Sequence, residues 1–258
     1  MSALYDRGSA PLDEIWFLAV VAGVFCVAGF VKGVIGLGLP TVGVGLLGLI
    51  MTPAQAAAIV IVPSFVTNVW QCFAGGGVTA LLKRLWPMFA GIGAGTFLGA
   101  LALPHGGGAQ AAVWLGVALM AYAGLGLFNI HFRVAPRAEW WVGPSIGVLT
   151  GAITVATGVF VLPAVPYIQA LNFERDKLVQ ALGLSFTVST VTLAVALAHA
   201  GEMTRSVAWP TLIGLGAGLI GMMLGQVVRG KVKAATFRLC FFIGLLMLGL
   251  HLALRGLL

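Results

Sequence analysis

The chain has 258 residues, of which 60% are hydrophobic and only 8% charged, and its mean hydropathy is +1.07. No soluble domain has that composition, which describes a polytopic membrane protein. Lys and Arg number 14 against 7 acidic residues, yet they sit mostly in short loops between apolar runs, which marks membrane orientation and excludes a nucleic-acid surface.

Residues 1–14 carry Asp6, Arg7, Asp13 and Glu14, so no basic stretch precedes the first apolar run. They are expected to form a short external segment, with residue 15 onward retained in the membrane rather than cleaved as a signal. Apolar runs then occur at 15–50, 54–73, 86–103, 111–130, 140–171, 178–198, 207–228 and 234–254. Most match one crossing, because about 20 residues at 1.5 Å each span a ~30 Å hydrocarbon core. The first and fifth are too long, and each holds a break: Gly36, Gly38 and Pro40 in the first, Thr154 to Pro163 in the fifth. Cys26, Cys72 and Cys240 lie in apolar runs without paired spacing, so they read as buried packing residues and not as a disulfide framework or metal site.

The two long runs point to an internal repeat. Trp86-Pro87 followed by Gly91, Gly93, Ala94 and Gly95 recurs as Trp209-Pro210 followed by Gly214, Gly216, Ala217 and Gly218, a constant offset of 123. The same offset pairs Gly126 with Gly249, while Ser64-Phe65 pair with Ser185-Phe186 at 121, and Gly29 and Gly33 pair with Gly147 and Gly151 at 118. The chain divides accordingly into a first membrane repeat at 15–130, a cytoplasmic linker at 131–139 and a second membrane repeat at 140–258.

Loop charges choose between two topologies. If each long run crossed once, Lys83/Arg84 and Arg229/Lys231/Lys233 would face opposite sides, against the positive-inside rule. If each long run instead enters, turns and leaves by the same side, those clusters and His131/Arg133/Arg137 all become cytoplasmic. The expected fold is therefore all-α and polytopic, with about eight hydrophobic segments. Each repeat is a broken, re-entrant helical hairpin plus three transmembrane helices, and an odd number of crossings makes the repeats inverted. Glycines spaced four apart, as in Gly91/Gly95/Gly99, Gly214/Gly218 and Gly221/Gly225, read as close helix packing, within the monomer or across a homodimer interface.

Non-helical backbone at membrane depth survives only where protein or a water-filled cavity satisfies it, so both breaks belong in the interior. Lys32 lies about 25 Å along a helix from Ile15, either at the far interface, where it would snorkel to headgroups, or at a buried hairpin tip. No acidic residue lies within any apolar run, so a buried ammonium there lacks a protein counter-ion, and the substrate is the candidate partner. Pro40 and Thr41 open a half-helix whose free amides and positive end point at Gly36 and Gly38, where no Cβ blocks a ligand; this suits an oxyanion. A glycine-kinked helix without a ligand is the alternative. Thr154, Thr157 and Gly158 occupy the matching tip, with hydroxyls in place of glycine amides. Ser64, Thr67, Asn68 and Gln71 share one helix face, as do Gln180, Ser185, Ser189 and Thr192. They either line a pathway or bond neighbouring helices at about 1 kcal/mol each. The substrate-binding set is thus Lys32, Gly36, Gly38, Pro40, Thr41, Ser64, Asn68, Gln71, Thr154, Thr157, Gly158, Ser185 and Ser189, arranged around one midplane site between the two tips.

Catalysis has little support. Ser185 and His199 are about 21 Å apart if helical and cannot pair as nucleophile and base. There is no HExxH, carboxylate pair or phosphate-binding loop, so no enzyme, cofactor or metal is expected. Coupling to protons or another ion is open, through Lys32 or a proton carried by the substrate.

The segment from Gly29 to Pro40, reading GF-x-KG-x-x-G-x-G-x-P, the duplicated layout and the run Pro63-Ser64-Phe65 into Asn68 resemble the TauE/SafE sulfite exporter family, also called the 4-toluene sulfonate uptake permeases. The resemblance covers nearly the whole chain. It implies a multi-pass carrier in the bacterial inner membrane for a small anion such as sulfite, a sulfonate, another organosulfur acid or a related carboxylate; family members differ in substrate and direction, export is the expected one here, and alternating access follows from the inverted repeats. The second tip, Thr154-Val-Ala-Thr157-Gly158, departs from the Gly-rich pattern. An anion-selective channel lined by the same donors is the alternative function, and an intramembrane enzyme a weaker one.

Overall fold

The computed structural model describes residues 11–73, 77–102, 109–128, 133–231 and 233–257. Residues 1–10 of the expected external segment, residues 131 and 132 of the expected linker, and His105 lie outside the described residues. Every long element is a helix, because in lipid a helix alone satisfies its own backbone groups within one segment. In chain order these are α1 (Pro11–Ile35), α2 (Leu39–Leu47), α3 (Pro53–Cys72), α4 (Val78–Ala102), α5 (Ala109–Leu127), α6 (Glu139–Thr157), α7 (Ala164–Ala170), α8 (Arg175–His199), α9 (Ala208–Val228) and α10 (Ala234–Leu257). One-turn 3₁₀ segments, Pro136–Ala138 and Arg205–Val207, lead into α6 and α9.

Seven of these helices are long and apolar enough to cross a membrane among the described residues, and the protein is a multi-pass membrane protein. All seven tryptophans of the chain, at 16, 70, 86, 114, 140, 141 and 209, are more than half exposed, as aromatic belts at lipid headgroups require. Cys72 is buried and Cys26 partly so, but Cys240 is exposed. The expectation that all three cysteines are core residues therefore fails for Cys240, because an apolar thiol on an outward face of α10 meets lipid at no cost.

The order long, short, long, long, long occurs twice. Both overlong runs break as expected, but unequally: α1 has 25 residues and its return arm α2 has 9, while α6 has 19 and α7 has 7. Local chemistry sets each break. Gly38 caps α2 at φ 109°, Pro40 stands in its first turn where a missing N–H is harmless, and Gly158 ends α6 at φ 74°. A capping box starts α3: Thr52 Oγ1 accepts from the Gln55 amide at 3.3 Å while Gln55 Oε1 accepts from the Thr52 amide at 3.3 Å.

Small residues decide which helices meet. A Cβ on Gly29 of α1 would lie 2.1 Å from the Gly218 carbonyl oxygen of α9, and one on Gly151 of α6 would lie 2.9 Å from the Gly95 carbonyl carbon of α4. The expected glycine packing is thus present, and it exchanges partners between the halves: α1 lies on α9 and α6 lies on α4. Gly33 packs on Met222 and Gly225 of α9, and Gly147 and Gly151 pack on Met88 and Ile92 of α4.

Direction follows from the same contacts. Moving up α1 from Phe25 to Gly33 moves up α9 from Gly214 to Gly225, so these helices are parallel. In α3 and α8, Asn68 meets Thr190 while Cys72 meets Thr187 and Gly183, so they are antiparallel. Gly116 against Ala253 and Gly126 against Phe242 make α5 and α10 antiparallel as well.

Candidate functional site

The site is built on α3. Pro63 sits inside this helix and deprives Ile59 of its backbone donor, loosening the turn just before the polar face. Ser64, Thr67, Asn68 and Gln71 follow at helical spacing and all are buried. Lys32, one turn before the end of α1, is only 2% exposed and ranks among the largest fully buried side chains. Its Nζ donates to Thr67 Oγ1 at 3.1 Å and to Asn68 Oδ1. Lys32 therefore does not snorkel to an interface, and of the two sequence readings the structure selects the buried one.

Proton directions fix the geometry around it. Thr67 sends its hydroxyl proton to the Pro63 carbonyl at 2.8 Å, which leaves its oxygen to accept from Lys32. Thr190 of α8 sends its proton to the Phe186 carbonyl at 2.6 Å, so it must accept from Asn68 Nδ2 at 3.4 Å. The Asn68 amide is thereby oriented with its oxygen toward the lysine. An ammonium has three donors, and two are used. No Asp or Glu is buried among the described residues, so the charge has no protein counter-ion.

The first hairpin tip joins this group. Gln71 Nε2 donates to the Gly36 carbonyl, a bond with a clear cause: in a continued helix that carbonyl would accept from residue 40, and Pro40 has no N–H. Gly36 adopts φ 82°, and a Cβ there would meet only Gln71 Nε2 at 3.9 Å, so space beside it is open. Gly38 differs: a Cβ there would lie 3.1 Å from Val31 Cγ1 and 3.4 Å from Phe241, so that flank is closed and this glycine serves the turn. The first-turn backbone bond of α2 runs from the Val42 amide to Gly38 at 2.8 Å. Thr41 Oγ1 is fully buried without a partner.

The second tip is arranged otherwise. Thr154 donates to the Thr150 carbonyl at 2.7 Å, and Thr157 donates to the Ile153 carbonyl at 2.7 Å while accepting from the Val159 amide at 3.1 Å. These hydroxyls hold the end of α6 together, and none bonds to the Lys32 group. A Cβ on Gly158 would meet Ala57 at 2.9 Å and Val44 at 3.3 Å. On α3, Ala57 and the Gln71 beside Gly36 are 14 positions apart, about 21 Å of helix. The expectation of two tips closing on one point is therefore corrected: they touch α3 near opposite ends, because the side chains of α2 and the start of α3 fill the space beside Gly158.

Of the expected set, the structure brings Lys32, Gly36, Asn68 and Gln71 into one hydrogen-bonded group, beside Pro40 and Thr41 in the adjoining turn. Ser64 shares the α3 face, and Ser185 and Ser189 share a face of α8; all three hydroxyls are fully buried and unpartnered. The expected set omitted Thr67 and Thr190. Thr67 lay on the polar stripe already recognised, whereas the role of Thr190 depends on the crossing of α3 and α8 and has no local signal. His199 is exposed while Ser185 is buried, so the serine-histidine reading has no geometry behind it. Among the described residues no group of His, Cys, Asp and Glu can hold a metal ion.

Seven membrane-capable helices gathered around the one cation buried among the described residues define a multi-pass membrane protein with a polar interior. The family model described as Sulfite exporter TauE/SafE matches residues 21–252, and the chain belongs to that family of membrane transporters. No curated protein and no solved structure matches the chain.

Proposed function

We propose that the protein is a secondary transporter of a small oxyanion, such as sulfite, a sulfonate or another organosulfur acid, that binds at Lys32 and is exported across the bacterial inner membrane. One observation carries this reading: an ammonium buried to 2% exposure, held by neutral acceptors, with one donor left over and no carboxylate to neutralise it. An anion supplies the missing charge. Ser64 and Thr41 hydroxyls and the first-turn amides of α2 are the further donors, with Ser185 and Ser189 on the opposing helix.

Alternating access is proposed to rest on two inverted repeats, residues 15–130 and 140–258, joined by a cytoplasmic linker at 131–139. Antiparallel contact between α3 and α8 and between α5 and α10 supports this, since equivalent helices related by an axis in the membrane plane must run in opposite directions. So does the crossing of α3 and α8 at Asn68 and Thr190, almost the residue pair related by the repeat offset of 121. The two tips then act as gates above and below the polar middle of α3. Lys32 meets Thr67 and Asn68 while Gly36 meets Gln71, so α1 and α3 run parallel, and the loops bearing Lys83/Arg84, Arg133/Arg137 and Arg229/Lys231/Lys233 share one face. That face is assigned to the cytoplasm. Coupling to a proton or another ion, and homodimer formation, are compatible with this scheme.

The test is flux of labelled sulfite in proteoliposomes. Saturable uptake that is accelerated by unlabelled anion on the far side supports a carrier. Flux that grows linearly with concentration and shows no counterflow replaces it with an anion channel, and absence of flux for sulfite and every sulfonate tried sinks the proposal.

A further inference from the structure

Hydrogen-bond directions around Lys32 limit how much negative charge the site can hold. Thr67 and Asn68 present acceptors to the ammonium, and Asn68 is held in that orientation by Thr190. Among the described residues no other Lys, Arg or His is buried, so Lys32 is the one cation held in this interior. The helix ends beside it do not alter the count. At the first tip the carbonyl end of α1 and the amide end of α2 meet, and their opposed dipoles largely cancel. The unpartnered groups left on this face of α3, the Ser64 hydroxyl and the Gln71 amide oxygen, are buried and uncharged.

Building on the anion-carrier reading above, we propose that this site selects by charge as well as shape: it accepts a monovalent oxyanion, hydrogen sulfite or an alkanesulfonate head, and refuses a divalent oxyanion of the same size. One negative charge neutralises Lys32. A second would sit uncompensated in a region sheltered from water, where hydroxyls supply only partial charge and the loss of hydration is not repaid. Size exclusion alone makes a different prediction, because it treats two tetrahedral anions of equal bulk alike.

Methanesulfonate and sulfate are such a pair, nearly equal in size and different by one charge. With the purified full-length protein, thermal melts and isothermal titration should show that methanesulfonate raises the melting temperature and binds roughly tenfold or more tightly than sulfate. Sulfate binding as tightly or more tightly overturns the proposal. If neither anion binds while proteoliposomes still move sulfite, charge selection fails and the transporter reading stands; if flux is absent too, both fail. Folded Lys32→Met protein should lose the response to methanesulfonate, and retention of that response likewise overturns the assignment.

Discussion

Replacing Lys32 by Met tests the charge at the centre of the site while keeping an unbranched stem of similar length. In the substrate-free protein the change has two opposing effects. Burial of a charge is relieved, while Asn68 Oδ1 loses the donor that faces it, and an unpaired buried acceptor costs about 1–3 kcal/mol. These terms offset, so the melting temperature should stay near that of the native protein. Anion binding suffers from one side only. Removing one partner of a buried ion pair costs about 3–5 kcal/mol, which is roughly 10²- to 10⁴-fold in affinity. Isothermal titration of sulfite, with flux in proteoliposomes at matched protein content, measures this. Wild-type affinity and flux in a well-folded Lys32→Met protein would refute the view that the ammonium neutralises the substrate.

Gln71→Leu should leave the Gly36 carbonyl without a donor, lower stability by about 1–3 kcal/mol and raise the KM for the anion, with faster amide exchange at residues 36–38 as the local readout. Gln71→Glu should fare no better, because a carboxylate only accepts. Gly36→Ala should cost about 1–2 kcal/mol through its left-handed backbone alone, since its Cβ has room; Gly36→Asn should recover part of that in thermal melts. Gly29→Ala places a Cβ 2.1 Å from a carbonyl oxygen of α9 and should destabilise by about 1–3 kcal/mol. Gly216→Ala, which meets nothing within 4 Å, should be neutral or gain about 1 kcal/mol of helix propensity.

Much of the fold was legible in the sequence because lipid leaves the backbone few choices. Apolar runs at 54–73 and 207–228 correspond within a residue to α3 and α9, since a span must be both long and apolar to exist at all. Glycine and Pro40 marked the breaks for equally local reasons. Glycines four apart marked close-packing faces as well, but not their partners: that Gly29 meets Gly218 of α9 while Gly151 meets Ile92 of α4 is decided by tertiary contact.

The sequence by itself determined that Lys32 is an unpaired cation in an apolar run, and that a break with free amides follows it. Chemistry along one strand of chain was enough for that. Only the tertiary structure decided that Lys32 is buried, that Thr67 and Asn68 hold it, that Thr190 orients Asn68 from the other half of the chain, and that the tip at Gly158 lies about 21 Å along α3 from the turn beside Gly36. Those facts depend on which helices touch, and at what height. In a membrane that is set by small residues that let backbones approach, and an apolar pattern read along the chain carries no record of the partner each face will find.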